Sequence, residues 1–153
     1  MSQKTGIIFR QALKSNANFV NSLAAKDVYS TAIPLPDDGI DNVPLPYAIV
    51  MVLAAQNDES TKDTFEGQYD SRTIAIEIAA KTTDEVADLA EQARDTIMEY
   101  FEEADEETDN YDLIPEDYHY SDDGIAFDSL KPCFFTNLTY QCDVHRSSKT
   151  TRS

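Results

Sequence analysis

The stretch Arg72–Ile97, RTIAIEIAAKTTDEVADLAEQARDTI, contains a change of hydrophobic period that decides the fold. In its first part Ile74, Ile76 and Ile78 alternate with Ala75 and Glu77, the period of two that marks a strand with one fully apolar face. Thr82, Thr83, Asp84 and Glu85 then form a capping-box pattern, in which the Thr82 hydroxyl accepts from the Glu85 amide. Beyond it Val86, Leu89, Ala90, Ala93, Ile97 and Phe101 repeat at helical spacing, with Asp88, Glu91, Asp95 and Glu99 on the wetter side. A helix of about 20 residues, ~30 Å long, is predicted to pack back on the sheet that the strand belongs to.

Upstream, Tyr47–Ala55 (YAIVMVLAA) is continuously apolar, which predicts a strand at the centre of the sheet, either buried on both faces or covered on one by a neighbouring subunit. It pairs with Arg72–Ala80 as an antiparallel hairpin around a long polar loop, Asn57–Ser71. The segment PLPDDGIDNVPLP concentrates four of the six prolines and reads as an extended, stiffened connection along the domain edge. Before it, DVYSTAI (Asp27–Ile33) is a short strand, and Gln3–Leu23, with Ile8, Ala12, Phe19 and Leu23 on one stripe, is a first helix. Downstream, PCFFTNLTYQCDV (Pro132–Val144) puts Phe134, Leu138, Tyr140, Cys142 and Val144 on one face of a last long strand. The expected architecture is α+β: a mostly antiparallel sheet of about four strands packed against two main α-helices, in one domain over residues 1–153. Two parts fall outside that frame, an acidic excursion over 99–128 and a polar C-terminal tail over 145–153.

Twelve basic against 29 acidic residues leave a formal charge of -17, which repels nucleic acid and anionic lipid. Direct nucleic-acid contact and membrane association are therefore excluded as expected partners. The most apolar window, Tyr47–Ala55, is about half of the ~20 residues needed to span a bilayer. In the start MSQKTGIIFRQALK the cluster Ile7–Phe9 is broken at once by Arg10 and Gln11, so no export signal is expected. Cys133 and Cys142 lie nine apart on one strand, so they point to opposite faces ~30 Å from one another and cannot pair there. Two free thiols fit a reducing compartment.

Neither His119 nor His145 has a nucleophile or carboxylate arrangement beside it, and the four glycines stand alone, so no catalytic residue and no cofactor are expected. Asp105, Glu107, Asp109 and Glu116 match positions one, three, five and twelve of a calcium loop. Asn110 stands where the loop needs glycine and Asp112 where an apolar residue is usual, which makes these only weak metal candidates and a solvated acidic loop the plainer reading. Aromatic groups outside the regular elements are more informative: Phe65 and Tyr69 make the polar loop either a folded-back lid or a contact surface for another subunit, and Tyr111, Tyr118, Tyr120 and Phe127 in the excursion are further candidate contacts. Arg146 and Arg152 give the tail local positive charge and join these as candidate subunit or partner contacts.

The succession PLPYAIVMVLAAQND, RTIAIEIAAKTTDEVADLAEQARDTI and FFTNLTYQCDV resembles the phage tail-completion, or tail-terminator and head-to-tail joining, family over most of the chain. Its pattern is an N-terminal helix, a short strand, a proline-bearing segment ending in Pro-Tyr, a strand, a variable loop, a second strand and a Thr-started helix. Pro46-Tyr47 and Thr82–Ile97 occupy those places, while the excursion after Glu99 is longer than the pattern. The resemblance implies a non-enzymatic virion protein at the head-tail junction, assembled in the host cytoplasm. Its partners would be copies of itself in a ring, typically a hexamer, together with the tail tube protein and the head-tail connector or neck proteins. Another connector or tail ring of different symmetry is the alternative, and a small divalent-cation-binding protein is a third reading.

Overall fold

The computed structural model describes residues 5–32, 43–57, 68–115 and 117–146. Its elements are helices α1 (Thr5–Lys14) and α2 (Ala17–Asn21), strands β1 (Tyr29–Ser30), β2 (Tyr47–Asn57) and β3 (Gln68–Ala80), and helix α3 (Thr83–Glu103). A single 3-10 turn (Tyr111–Leu113) and strands β4 (Asp117–Asp122), β5 (Ala126–Asp128) and β6 (Cys133–Arg146) follow. The class is α+β, with six strands and three helices among the described residues, two of the helices substantial.

Sheet order is β1-β2-β3-β6-β4, with β5 also pairing β6. All pairings are antiparallel except β1 with β2, which is parallel. The expected antiparallel pairing of β2 with β3 forms, with Val50 opposite Ile76 and Ala48 opposite Ile78. The centre of the sheet, however, is β3 rather than β2, because the closing strand β6 adds to β3 along its whole length, from Gln68 with Arg146 to Ala80 with Phe134. Among the described residues, only the two-residue β1 stands beyond β2, since Thr31 takes a left-handed φ of 71 and ends a strand expected to run to Ile33. Ile33 itself lies outside the described residues.

Period-two patterning in β3 explains the layering. Ile74, Ile76 and Ile78 face the helices, where they meet Tyr140, Leu138 and Thr136 of β6 across the ladder, and all three isoleucines are fully buried. Val50 and Ala48 of β2 join the same face, and Ile8, Phe9, Leu13, Phe19, Leu89, Ala93 and Ile97 close it from the helix side. Gly6 lets α1 approach β2 closely: a Cβ there would lie 2.9 Å from Val52 Cγ2. The other sheet face carries a smaller cluster, Val43, Tyr47, Ile49, Ala79 and Cys133, covered in part by Val43 and Leu45 of the proline segment. This second cluster is why β2 reads as continuously apolar. Cys133 and Cys142 are free, buried and in different clusters, one on each face, as their odd spacing requires.

Two helix boundaries have clear local causes. Thr82 is the N-cap of α3, its hydroxyl accepting from Glu85 N at 3.2 Å. The expected first helix over Gln3–Leu23 is instead two, broken at Asn16, whose backbone is extended (φ -97, ψ 98). Asn16 caps α2 by accepting from Phe19 N at 3.2 Å and donates through Nδ2 to Thr96 Oγ1 of α3 at 2.9 Å. An amphipathic stripe continues across the break because both pieces face the same core, so periodicity alone does not reveal it. Ile76→Ala, at the centre of the ladder, is expected to cost about 2–5 kcal/mol in urea unfolding. Thr82→Ala is expected to cost about 1 kcal/mol.

Candidate functional site: the outer sheet edge and its aromatic backing

The acidic excursion, which the sequence sets outside the regular elements, holds two strands that add to β6 on the side away from β3. Asp117–Asp122 pairs with residues 138–143, and Ala126–Asp128 with residues 133–135. Between them the chain turns through Gly124 at φ 77, a left-handed value that suits glycine. Asp122 Oδ1 accepts from Gly124 N at 3.1 Å, and Thr136 Oγ1 donates to Gly124 O at 2.8 Å, so the turn is fixed to β6. The result is one kinked free edge.

Alternation along β4 separates its side chains. Asp117, His119 and Ser121 are exposed, whereas Tyr118 and Tyr120 turn inward and are half-buried. The Tyr120 ring packs 5.2 Å from that of Tyr140, and the Arg94 guanidinium of α3 stacks 4.0 Å from its centroid. Tyr118 lies between Phe101 at 5.9 Å and Tyr140 at 5.5 Å, and Phe9 of α1 completes the group at 5.3 Å from Phe101 and 5.1 Å from Tyr140. These rings tie both long helices to the edge strand. Tyr140 is almost fully buried, and burial first, then the neighbouring Tyr120 and Tyr118, drives its phenol far above the usual range. Burial likewise pushes Tyr120 up to about 12, with Asp122 adding to the rise and Arg94 opposing it.

A groove of ≈ 310 Å³ runs between α3 and this edge, lined by Ala90, Arg94, Tyr120, Ile125 and Leu138 among others. Ile125 and, further along the chain, Phe127 and Leu130 are 42%, 56% and 75% exposed, unusual for large side chains so close together in sequence. Phe127 leans on Phe134 at 5.1 Å and presents its other side outward.

The remaining candidates distribute as follows. Tyr111 is exposed in the 3-10 turn. Tyr69 and Arg146 belong to the paired ends of β3 and β6, where their side chains are not described, so β6 runs through His145 rather than stopping at Val144. Phe65, Glu116 and Arg152 lie outside the described residues. Asp105 accepts from Glu107 N at 3.0 Å and Thr108 Oγ1 at 3.4 Å, the arrangement of a local turn. Among the described residues, no three His, Cys, Asp or Glu side chains come together as a metal set. No described helix is long and apolar enough to cross a membrane.

No protein-family model matches the chain, and no curated protein matches it. A solved structure is similar. It is a chain of the virion of a native gene transfer agent (GTA) particle, 11% identical, with a TM-score of 0.47, covering 92% of this chain and 93% of that chain.

What sequence reasoning missed is the edge itself. The DYHYSD alternation of Asp117–Asp122 is its signal, hidden because the surrounding acids read as solvated loop. Tyr120 carries a pH prediction. Its folded value is raised above the unfolded ~10, so its contribution is fully present below pH ~10 and is lost as pH rises towards 12. Tyr120→Phe should keep the ring contacts and show a shallower loss of stability over that window, measured by urea unfolding at successive pH values. An unchanged slope would contradict the assignment.

Proposed function

We propose that this chain is a non-enzymatic structural protein of a tailed virion, a ring-forming tail terminator or head-to-tail joining subunit. In this reading copies of the chain, six in a ring, cap the tail tube and present a face to the head-tail connector. The observation that carries it is the succession of elements. A helical N-terminus, here split into α1 and α2, a short strand, a proline segment entering β2 at Pro46-Tyr47, a second long strand, a Thr82-capped helix and, after β4 and β5, a closing strand resemble the order of the family named from the sequence.

Physical features of the surface support the same reading. A ring of identical subunits requires a heterologous contact, in which one patch docks on a different patch of the next copy. The sheet offers unlike edges for this, β1 with the open part of β2 on one side and β4 with β5 on the other. Ile125, Phe127 and Leu130 add exposed apolar surface beside the second edge. The high acidic charge disfavours direct contact with packaged nucleic acid, which leaves protein partners as the natural ones.

The test is genetic and visual. Removing the gene from the virus that encodes the chain should give filled heads and separate tail tubes that fail to join, and labelled antibody should decorate the neck of intact particles. Particles of normal form and infectivity that lack the chain would overturn the proposal. A ring mass that is not six times the 17.1 kDa of the subunit would favour a connector or tail ring of another symmetry.

A further inference from the structure

The two edges of the sheet differ in charge as well as in shape. At the β1 edge, Arg10 and Lys14 of α1 both reach Asp27, at 3.2 and 3.1 Å, and Arg10 Nε also donates to Val28 O at 2.7 Å. Lys26, just before this strand, is exposed and donates to Asn21 O at 2.5 Å. Arg10 and Lys14 thus share one carboxylate, and with Lys26 they set three cations against Asp27 and against Asp109, which lines the same hollow as Arg10, Lys14 and Ser30, so this rim is cationic on balance within a chain of formal charge -17. Asp27 responds to them: its carboxyl is held below the usual range, first by the bond from Lys14 and also by Val28 N and Arg10.

At the opposite edge the sign is reversed. Asp117, Asp122 and Asp123 are exposed along β4 and its turn, and no Lys or Arg occurs in sequence between Arg94 and Lys131. Arg94 lies over the Tyr120 ring on the helix face, behind the edge. An acidic edge strand repels a second copy of itself, because pairing β4 with β4 in antiparallel fashion would set aspartates of the two copies against one another. The same edge attracts a cationic rim.

We propose that copies of this chain join head to tail, the cationic rim of Arg10, Lys14 and Lys26 beside β1 on one copy meeting the acidic β4 edge, Asp117 to Asp123, of the next. The inference rests on the ring reading above and names the surfaces that would form the ring contact. A contact between unlike edges leaves one free edge of each kind at the ends, so it closes a ring or extends a filament but does not stop at a symmetric dimer. The diffuse repulsion between two acidic copies is screened beyond about 8 Å at physiological ionic strength, while charges in contact across the edges still interact.

A charge-swap experiment on the full chain tests this. Asp117→Lys with Asp123→Lys reverses the acidic edge and leaves Asp122, which braces the Gly124 turn, in place. Lys14→Glu with Lys26→Glu reverses the cationic rim and leaves Arg10, which holds Val28, in place. Light scattering coupled to size exclusion, near-physiological salt and circular dichroism for folding are the readouts. The unaltered chain should self-associate, each double variant should associate about tenfold more weakly alone, and an equimolar mixture of the two should recover association, since both of its contacts are again between opposite charges. Folded variants that assemble like the unaltered chain, a mixture that stays dissociated, or an unaltered chain that remains monomeric at every concentration tried would each overturn it. Association through these edges by a protein missing from particles would instead leave the contact standing and remove the virion function.

Discussion

The pairing of β3 with β6 is the interaction on which the rest of the molecule depends. Thirteen consecutive residues of β3, Gln68 to Ala80, are in register with β6, and on the helix side Ile74, Ile76 and Ile78 meet Tyr140, Leu138 and Thr136. That ladder joins residues from the middle of the chain to residues near its end, so the chain between them must leave the sheet, as α3 does, and return to it. Helix α3 makes the return possible by lying back over the two strands that precede and close it, with Ile97 and Leu89 against the isoleucine row. With β6 in place its far side is an open edge, and β4 and β5 take it.

Tyr140 links this ladder to the surface. From β6 it touches Phe9 of α1 and both Tyr118 and Tyr120 of β4, so one buried ring couples the N-terminal helix to the outer edge. The edge is therefore held as a rigid surface rather than as a loop, and rigidity is what a repeated subunit contact requires, because ordering a mobile segment at each contact would cost part of the binding energy. The charges outside this ring system follow the same topology: α1 lies over the β2 side and carries Arg10 and Lys14, while β4 and its turn carry Asp117, Asp122 and Asp123 to the other side.

Much of this was legible from particular residues. The isoleucine alternation, the Thr82 cap and the stripe from Val86 to Ile97 specify β3 and α3 directly, since local pattern and tertiary role agree there. The doubly apolar run at Tyr47 is right about burial on two faces from Tyr47 to Val50, where the proline segment folds over one of them, but not at Leu53, which is exposed, and not about position, since β3 is central. Asn16 shows a different limit: its capping and its bond to Thr96 depend on a helix eighty residues away. Strands β4 and β5 were hidden by composition, since acids that mark the edge as exposed also make it resemble a loop. Of the expected contact residues, Phe127 and Tyr111 are outward and available, whereas Tyr118 and Tyr120 serve mainly to hold the edge.

The central claim is that unlike edges of this sheet meet between neighbouring copies around a common axis in a virion neck. An averaged electron-microscopy map of that neck, at a resolution that separates strands, tests it most directly. The account predicts a closed ring in which this fold repeats, with β4 of every subunit facing the α1–β1 side of the next. A neck whose density is fully explained by other chains, or a ring in which β4 faces solvent, would contradict it.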